Sequence, residues 1–229
     1  MRFEHTGAQP AAHRVQQVLD RLLHERVAVA RSNGAKHDLF PVAIPAAEGE
    51  ALRDWVRREN ATRTIEVGLG YGIAALFICA GLLDNGAAAV RHVVIDPYQT
   101  TRFADCAIQF LDEAGVAGLV ECHREGSEIV LPQLLSRGSR FDLAFVDGNH
   151  RFDGVFLDLV FLGRLVEAGG IVFVDDYQLP GVYRAVSFCA SNLGWTVEDV
   201  SAVDDLHHWA VLRTARTAPD RSFDHYVDF

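Results

Sequence analysis

The stretch TIEVGLGYG, residues 64–72, decides the fold of this chain. Its first half is short and apolar, as expected of a buried strand. Its second half carries Gly68, Gly70 and Gly72, and an apolar run over residues 73–83 follows directly. Glycine permits a tight turn, and a helix that begins after such a turn points its free N–H groups at a ligand. The stretch therefore predicts a strand, a ligand-binding turn and a helix.

Strand and helix patterns alternate through the middle of the chain, which predicts βαβ units with right-handed crossovers and a parallel sheet. Runs 143–146 and 171–174 are almost wholly apolar, as expected for central strands covered on both faces. The predicted strands are residues 64–67, 92–95, 120–123, 141–146 and 170–174. The predicted helices after the glycine turn are residues 73–83, 101–114, 127–136, 152–167 and 182–193.

The two ends of the chain differ from this alternation. Residues 11–31 show helical spacing of apolar side chains, with Asn33-Gly34 as the end of the helix, and residues 46–60 predict a second helix. Residues 195–200 and 208–213 are two strands joined by a polar loop, which predicts a hairpin and hence one antiparallel strand.

Size and composition fit one α/β domain with an added segment. The chain has 229 residues, of which 49% are hydrophobic, enough for a sizeable core. We divide it into an N-terminal helical segment, a lid or an oligomerisation element, at residues 1–45, a cofactor-binding domain at 46–215 and a tail at 216–229. A homo-oligomer is possible, and the sequence leaves the oligomeric state open.

Charge and cysteine content narrow the function classes. The net charge of −10 and the lack of basic clusters argue against a nucleic-acid partner. The four cysteines are far apart and have no C-x-x-C pair, as expected of reduced thiols in a cytoplasmic protein. No signal-peptide core and no apolar run near the ~20 residues of a membrane span are present in the sequence, so we expect no membrane association.

An acid after the second strand points to a nucleoside. Asp96 ends the run 92–95, and in a doubly wound sheet this position can accept hydrogen bonds from a ribose. The dinucleotide fingerprint G-x-G-x-x-G needs its third glycine where Ile73 stands, so a pyrophosphate fits poorly. An NAD-dependent oxidoreductase on a variant loop, or an ordinary glycine turn without a ligand, remain the alternatives.

The pattern E-x-G-x-G-x-G with this acid resembles motifs I and II of class I S-adenosylmethionine-dependent methyltransferases. The resemblance implies an α/β, doubly wound, Rossmann-like sheet of seven mostly parallel strands with a C-terminal antiparallel hairpin. It also implies S-adenosylmethionine as cofactor, with its methionine part beside the glycine loop and its ribose held by the acid. The implied residues are Glu66, Gly68, Gly70 and Gly72 for the first role and Asp96 for the second.

Further cofactor contacts follow from the same resemblance. Gly126 and Ser127 begin the helix after the third strand, at a corner that contacts adenine in this family, and Ser127 is also a candidate N-cap. Tyr71 flanks the glycine motif and packs either on the cofactor or in the pocket wall.

Acidic residues follow two neighbouring strands of the predicted sheet. Asp147 comes after the strand 141–146, and Asp175 and Asp176 follow the strand 170–174. Ligands in such sheets lie beyond the carboxyl ends of the strands, so these three side chains are expected to converge. Neighbouring carboxylates raise one another's pKa, and a divalent cation removes the conflict. Ligation by oxygen alone suits Mg²⁺.

This arrangement resembles the metal-dependent O-methyltransferases of the catechol, caffeoyl-CoA and macrolide-sugar type. The resemblance covers about residues 40–215, and His150 matches a histidine of the macrolide-sugar group. It implies Mg²⁺ on Asp147, Asp175 and Asp176, with Asp147 also beside the cofactor, and His150 as the base. The implied function is Mg²⁺-dependent methylation of a hydroxylated small molecule, a sugar hydroxyl or vicinal diol of a natural product.

Each of these assignments has an alternative. Asp147 could cap the next helix or contact the cofactor without a metal, Asp175-Asp176 could form an Asx turn and a cap, and His150 could be a solvent-exposed loop residue. His207 and His208 are interpreted as surface residues. The alternative functions are a metal-independent O- or N-methyltransferase of the same fold and a non-catalytic protein that binds S-adenosylmethionine.

Overall fold

The computed structural model describes residues 8–202, 207–217 and 219–229. Its helices are α1 (Ala8–Glu25), α2 (Ala46–Arg58), α3 (Ile73–Asp84), α4 (Cys106–Glu113), α5 (Ser127–Ser136), α6 (Phe152–Leu165) and α7 (Pro180–Leu193). Its strands are β1 (Val27–Val29), β2 (Lys36–Asp38), β3 (Arg63–Val67), β4 (Arg91–Ile95), β5 (Val120–His123), β6 (Phe141–Val146), β7 (Val166–Val174), β8 (Thr196–Val200) and β9 (Ala210–Arg213).

Seven strands form the main sheet, in the order β5-β4-β3-β6-β7-β9-β8. The pairs β4/β5 and β6/β7 are parallel, and β9 runs antiparallel to both β7 and β8. The predicted doubly wound, mostly parallel sheet with a C-terminal antiparallel hairpin is therefore confirmed. The division of the chain at residues 45 and 215 stays a prediction.

The described residues form two compact units. The first contains the residues up to Thr64 together with Leu69–Arg124, and the second contains Ile65–Gly68 and the residues from Glu125 onward. In the first unit, α3 is apolar on all sides and buried over residues 73–82, and both α1 and α2 pack against it. Leu19 and Leu22 of α1 are fully buried.

The predicted helix over residues 11–31 is wrong in its last part. The helix α1 ends at Glu25, Arg26 adopts a left-handed φ of 58°, and the next residues form the hairpin of β1 and β2. Gly34 has φ 71°, and the Asn33 side chain accepts a hydrogen bond from the N–H of Ala35. Asn-Gly between two short strands favours such a turn, so it marks the hairpin rather than the helix end.

The predicted helix over residues 101–114 also begins later than expected. Ala104 and Asp105 adopt left-handed φ angles of 48° and 57°, which helical geometry does not allow, and α4 starts at Cys106. The N–H of Asp105 instead donates to the carbonyl of Gln99 over 2.8 Å, which closes a turn over residues 99–105.

The second unit is built on β6, β7, β9 and β8, with α5, α6 and α7 as its helices. The fully buried rings of Phe145 and Phe173 lie 5.7 Å apart on neighbouring strands. The strand β7 begins at Val166, before the predicted Gly170. Among the described residues, no helix is both long enough and apolar enough to cross a membrane.

Candidate functional site

The glycine turn after β3 has a separate structural reason for each glycine. Gly68 has φ 96°, and a Cβ atom there would lie 2.0 Å from the carbonyl oxygen of Asp147. Gly72 has φ 80° and precedes the first residue of α3, and a Cβ atom there would lie 2.9 Å from that of Ala107. Steric clashes thus exclude a side chain at both Gly68 and Gly72. Gly70, with φ 51°, has more room.

Asp96 is tied to this turn by hydrogen bonds. Its Oδ2 accepts from the N–H of Gly70 over 2.9 Å and from Nε2 of Gln99 over 2.8 Å, and its Oδ1 accepts from the N–H of Tyr98 over 2.7 Å. Gln99 Nε2 also donates to the Gly70 carbonyl over 2.8 Å. Asp96 is 3% exposed and ends β4 as predicted. The fully buried Gln99 was missed, because a polar residue in a loop carries no sequence signal for this role.

Tyr71 and Glu66 are two further buried residues of the predicted cofactor set. The ring of Tyr71 packs edge-on against Phe103 at 5.1 Å and lies 6.1 Å from the ring of His37. Ring contacts of this kind are expected of a residue in a pocket wall, and a contact of Tyr71 with the cofactor stays a prediction. Burial raises the pKa of Tyr71, so the phenol stays protonated. Glu66 is fully buried at the end of β3.

The start of α5 differs from the prediction. The N-cap position is Gly126, with extended φ −65°, and Ser127 is the first helical residue rather than the cap. No side-chain hydrogen bond caps this helix. Ser127 lies beside Asp158 of α6 and lowers the pKa of that carboxyl group, but burial has the larger effect and raises it to about 6.

The acid turns after β6 and β7 meet at His150. His150 Nδ1 lies 3.1 Å from Asp176 Oδ2, and its Nε2 lies 3.4 Å from Asp147 Oδ1. Backbone hydrogen bonds hold both turns, since the N–H of Asp147 donates to the carbonyl of Val67 and that of Asp175 donates to the carbonyl of Val146. Asp147, His150 and Asp176 each offer a ligand atom, all within 4.8 Å of one another.

The Asp175-Asp176 turn is compact. Asp176 adopts a left-handed φ of 55°, which aspartate adopts more readily than most residues other than glycine and asparagine. Its N–H donates to Oδ1 of Asp175 over 2.6 Å, and its own Oδ1 accepts from Nε2 of Gln178 over 2.8 Å. Asp175 is 5% exposed. Residues held in such conformations cluster at functional sites.

His207 lies beside these acids. Asp175, Asp176 and His207 each offer a ligand atom within the same 4.8 Å limit. The surface role expected for His207 stays a prediction, but two acids lie within reach of its ring. The antiparallel register of β9 on β7, which pairs Val174 with Ala210, brings it there, and a single sequence does not reveal that register.

Burial and neighbouring charged groups both shift pKa values in this cluster. Burial raises the pKa of Asp147 to about 6, against the opposite effect of its hydrogen bond to His150. That hydrogen bond raises the pKa of His150 above its ordinary value, with Asp176 and Asp175 acting in the same direction and burial opposing it. The cluster thus concentrates negative charge that a cation neutralises. The two carboxylates and the imidazole of this cluster are donors that suit a divalent ion.

Comparison with known proteins shows what this chain resembles. A sequence profile described as a methyltransferase domain matches residues 65–177, which include both the glycine turn and the acid turns. Together with the fold and the two sets of turns, this match favours a class I S-adenosylmethionine-dependent methyltransferase. It favours the methyltransferase interpretation of the glycine loop over the dinucleotide interpretation.

Individual relatives agree with this family. Tricin synthase 2 of Oryza sativa subsp. japonica is 30% identical over 146 residues, which cover 62% of this chain and 47% of the rice protein. Caffeoyl-CoA O-methyltransferase 1 of Eucalyptus globulus is 28% identical over 145 residues, 62% of this chain and 55% of that protein. The chain thus spans about half the length of these curated relatives. The O-methyltransferase TomG of Streptomyces achromogenes, involved in tomaymycin synthesis and solved with S-adenosylmethionine, has the same fold, with TM-score 0.65, 23% identity and coverage of 93% and 91% of the two chains.

Proposed function

We propose that this chain transfers the methyl group of S-adenosylmethionine to a hydroxyl oxygen of a small molecule and needs a divalent cation such as Mg²⁺ to do so. The observation that carries the proposal is the meeting of Asp147 and Asp176 at His150, on two turns that backbone hydrogen bonds hold in place. Relatives named as O-methyltransferases support transfer to oxygen.

The cofactor side of the proposal assigns each residue a contact. Gly68, Gly70 and Gly72 border the methionine part, and Asp96 accepts from the ribose with the acceptor capacity that Gly70, Gln99 and Tyr98 leave free. A carboxylate has about four lone-pair positions, so capacity remains for one ribose hydroxyl. The remaining cofactor contacts in the proposal are Glu66, Tyr71, Gly126, Ser127 and Asp147.

The transfer depends on orientation and on removal of one proton. Methyl transfer is an in-line displacement, and well-ordered reactants can gain up to ~7–11 kcal/mol from their pre-arranged geometry. Asp147, Asp175 and Asp176 are the residues that would hold the cation. A bound divalent cation lowers the pKa of a hydroxyl that contacts it. His150 accepts the hydroxyl proton, and Asp147 orients its imidazole.

The acceptor class that we propose is a vicinal diol or a sugar hydroxyl of a natural product. Magnesium prefers about six oxygens in octahedral geometry and is usually held by a few carboxylates together with water or substrate oxygens. A vicinal diol offers two oxygens at suitable spacing, so it complements the acidic side chains of the two turns better than a single hydroxyl does.

One observation favours a metal-independent version of the reaction. The imidazole of His150 lies within ion-pair distance of both Asp147 and Asp176, so a protonated His150 neutralises part of the charge that a cation would neutralise. In that version the same residues accept a proton from a hydroxyl or an amine without a metal ion.

Transfer of labelled methyl tests the proposal. The protein is incubated with methyl-labelled S-adenosylmethionine and a panel of vicinal diols, matched monohydroxyl compounds in which one hydroxyl is methylated, and amines. We expect label on the diols and much less on their monohydroxyl partners. Label on the amines alone contradicts oxygen transfer. Tight binding of S-adenosylhomocysteine with no transfer to any acceptor indicates a non-catalytic binding protein.

A further inference from the structure

We propose that His207 donates an imidazole nitrogen to the cation that Asp175 and Asp176 hold. This inference rests on the proposed cation site and adds to it a ligand that oxygen-only sites lack. It predicts that the ratio of Co²⁺ affinity to Mg²⁺ affinity is higher at this site than at a site with three carboxylates and no imidazole.

Strand register explains why His207 lies beside the acids. The strands β7 and β9 are antiparallel, and their last pair is Val174 with Ala210. Beyond this pair the chain direction brings the residues before Ala210 alongside those after Val174. The N–H of Tyr177 donates to the carbonyl of His208 over 2.6 Å, which continues the contact past the strand ends. His207 is therefore placed by the sheet rather than by a loop alone.

Gln178 joins the two segments through both ends of its side-chain amide. Its Nε2 donates to Asp176 Oδ1 over 2.8 Å, and its Oε1 accepts from the N–H of His208 over 3.0 Å. One side chain thus connects an acid of the site directly to the residue after His207. Ligands held by such supporting hydrogen bonds lose less freedom when an ion binds.

The donor atoms fit an ion that accepts nitrogen. One oxygen each from Asp175 and Asp176 and one ring nitrogen of His207 lie within 4.8 Å of one another. The imidazole is partly buried beside a carboxylate that is 5% exposed. Imidazole suits ions such as Zn²⁺, Fe²⁺ and Ni²⁺, whereas Mg²⁺ prefers oxygen. Carboxylate oxygens and an imidazole nitrogen are thus both available to an ion at the Asp175-Asp176 turn.

Calorimetric titration of the full chain with Co²⁺ and with Mg²⁺ tests this inference. In His207→Gln we expect Co²⁺ affinity to fall by about ten-fold or more, since the loss of even a residue that only supports a metal ligand typically costs this much. We expect a much smaller change for Mg²⁺. His208→Gln is the matched control, because its contacts to Gln178 and Tyr177 are made by the backbone and persist. It should keep the Co²⁺ affinity of the original protein.

A spectroscopic measurement identifies the nitrogen donor. With Mn²⁺ bound, pulsed electron paramagnetic resonance detects coupling to a ligand ¹⁴N. We expect this coupling in the original protein and in His150→Gln, and its loss in His207→Gln. If the ¹⁴N coupling is lost in His150→Gln and not in His207→Gln, the assignment of His207 is wrong. Equal changes in Co²⁺ and Mg²⁺ affinity in His207→Gln would also overturn it.

The proposed cation site has its own readout. Asp176→Asn should reduce the affinity for both ions. If the original protein and Asp176→Asn bind Co²⁺ equally weakly, the cation site itself fails and the inference fails with it. If Asp176→Asn loses binding while His207→Gln retains it, only the role of His207 fails. The affinity for S-adenosylhomocysteine shows in each variant that the fold is intact.

Discussion

The backbone N–H of Gly70 donates a hydrogen bond to Asp96 Oδ2 over 2.9 Å, which joins the glycine turn to the acid at the end of β4. Gln99 strengthens the connection, since its Nε2 donates both to Asp96 and to the Gly70 carbonyl. Asp96 therefore organises the turn in addition to any contact it makes with a ribose. Loss of its charge should affect cofactor affinity and stability together.

Asp96→Asn tests this double role. The amide can accept at one oxygen only and turns an NH₂ group toward a donor, so one buried hydrogen bond to a charged group is lost, worth about 1.5–3 kcal/mol. We expect a lower melting temperature and at least about ten-fold weaker binding of S-adenosylhomocysteine, the equivalent of 1.4 kcal/mol. Asp112→Asn, a surface substitution, is the control. Unchanged affinity with a lowered melting temperature would restrict Asp96 to a structural role.

Gly68→Ala tests the close approach of β3 to the Asp147 turn. A Cβ atom would lie 2.0 Å from the Asp147 carbonyl oxygen, and φ is 96°, so both sterics and backbone conformation oppose it. Gly86→Ala is the matched control, because Gly86 also has a positive φ, 65°, but no atom within 4 Å of a Cβ position.

The melting temperatures of the two alanine variants give the result. Left-handed strain of about 1 kcal/mol or more should appear in both variants, and each kcal/mol corresponds to about 2–4 °C in a chain of this size. We expect a clearly larger decrease for Gly68→Ala. Equal decreases would mean that the Asp147 backbone moves aside at little cost.

His150→Gln tests the proposed base. Removal of a general base typically lowers the rate by about 10²–10⁴-fold. We expect a decrease in kcat of this order with unchanged affinity for S-adenosylhomocysteine, measured by initial rates and by calorimetry. A kcat within a few-fold of that of the original protein would show that His150 is not the base.

Gln178→Ala tests how the acid turn is positioned. Because Gln178 hydrogen-bonds both Asp176 and the N–H of His208, its loss should weaken Co²⁺ binding without affecting S-adenosylhomocysteine binding. If Gln178 acts by holding His207 in place, its effect should largely disappear in a protein that already carries His207→Gln. Additive effects of the two substitutions on Co²⁺ affinity would indicate independent roles.

His92 predicts a pH dependence of stability. Its ring is fully buried on β4, its Nδ1 lies 2.9 Å from Thr64 Oγ1, and burial lowers its pKa to about 3. An unfolded histidine titrates near about 6.5, so below that pH the unfolded chain binds the extra proton. The contribution of His92 to stability is complete above about pH 6.5 and decreases as the pH falls, by up to about 1.4 kcal/mol per pH unit.

Urea unfolding at several pH values between 7 and 5 measures this dependence. The free energy of unfolding of His92→Gln should be lower than that of the original protein at pH 7 but should decrease less steeply as the pH falls. Parallel curves for the two proteins would show that His92 does not contribute to the acid sensitivity.

The parallel part of the fold could be predicted from the sequence because its signals are local. The apolar runs that became β6 and β7 have no polar face, and the glycine turn between β3 and α3 has sterically required glycines. The prediction for residues 27–38 was wrong because the apolar helical spacing of α1 was extended past Arg26. The left-handed φ of Arg26 ends the helix there.

Only those site residues that directly follow a strand could be predicted from the sequence. The positions of Asp96, Asp147 and Asp175 follow from their place after a strand. His207, Gln99 and Gln178 could not be found, since each depends on contacts between distant segments: the register of β9 on β7 for His207, and amide hydrogen bonds for the two glutamines. Residues of this kind show in three dimensions but have no pattern along the chain.

The dependence of methyl transfer on a divalent cation tests the central claim most directly. Turnover of a vicinal diol is measured before and after removal of metal by a chelator, and again after a divalent cation is restored. We expect turnover to be lost with the metal and to return with it, and Asp176→Asn to stay inactive throughout. Turnover that continues unchanged after complete removal of metal would contradict the proposal that Asp147, Asp175 and Asp176 act by holding a cation.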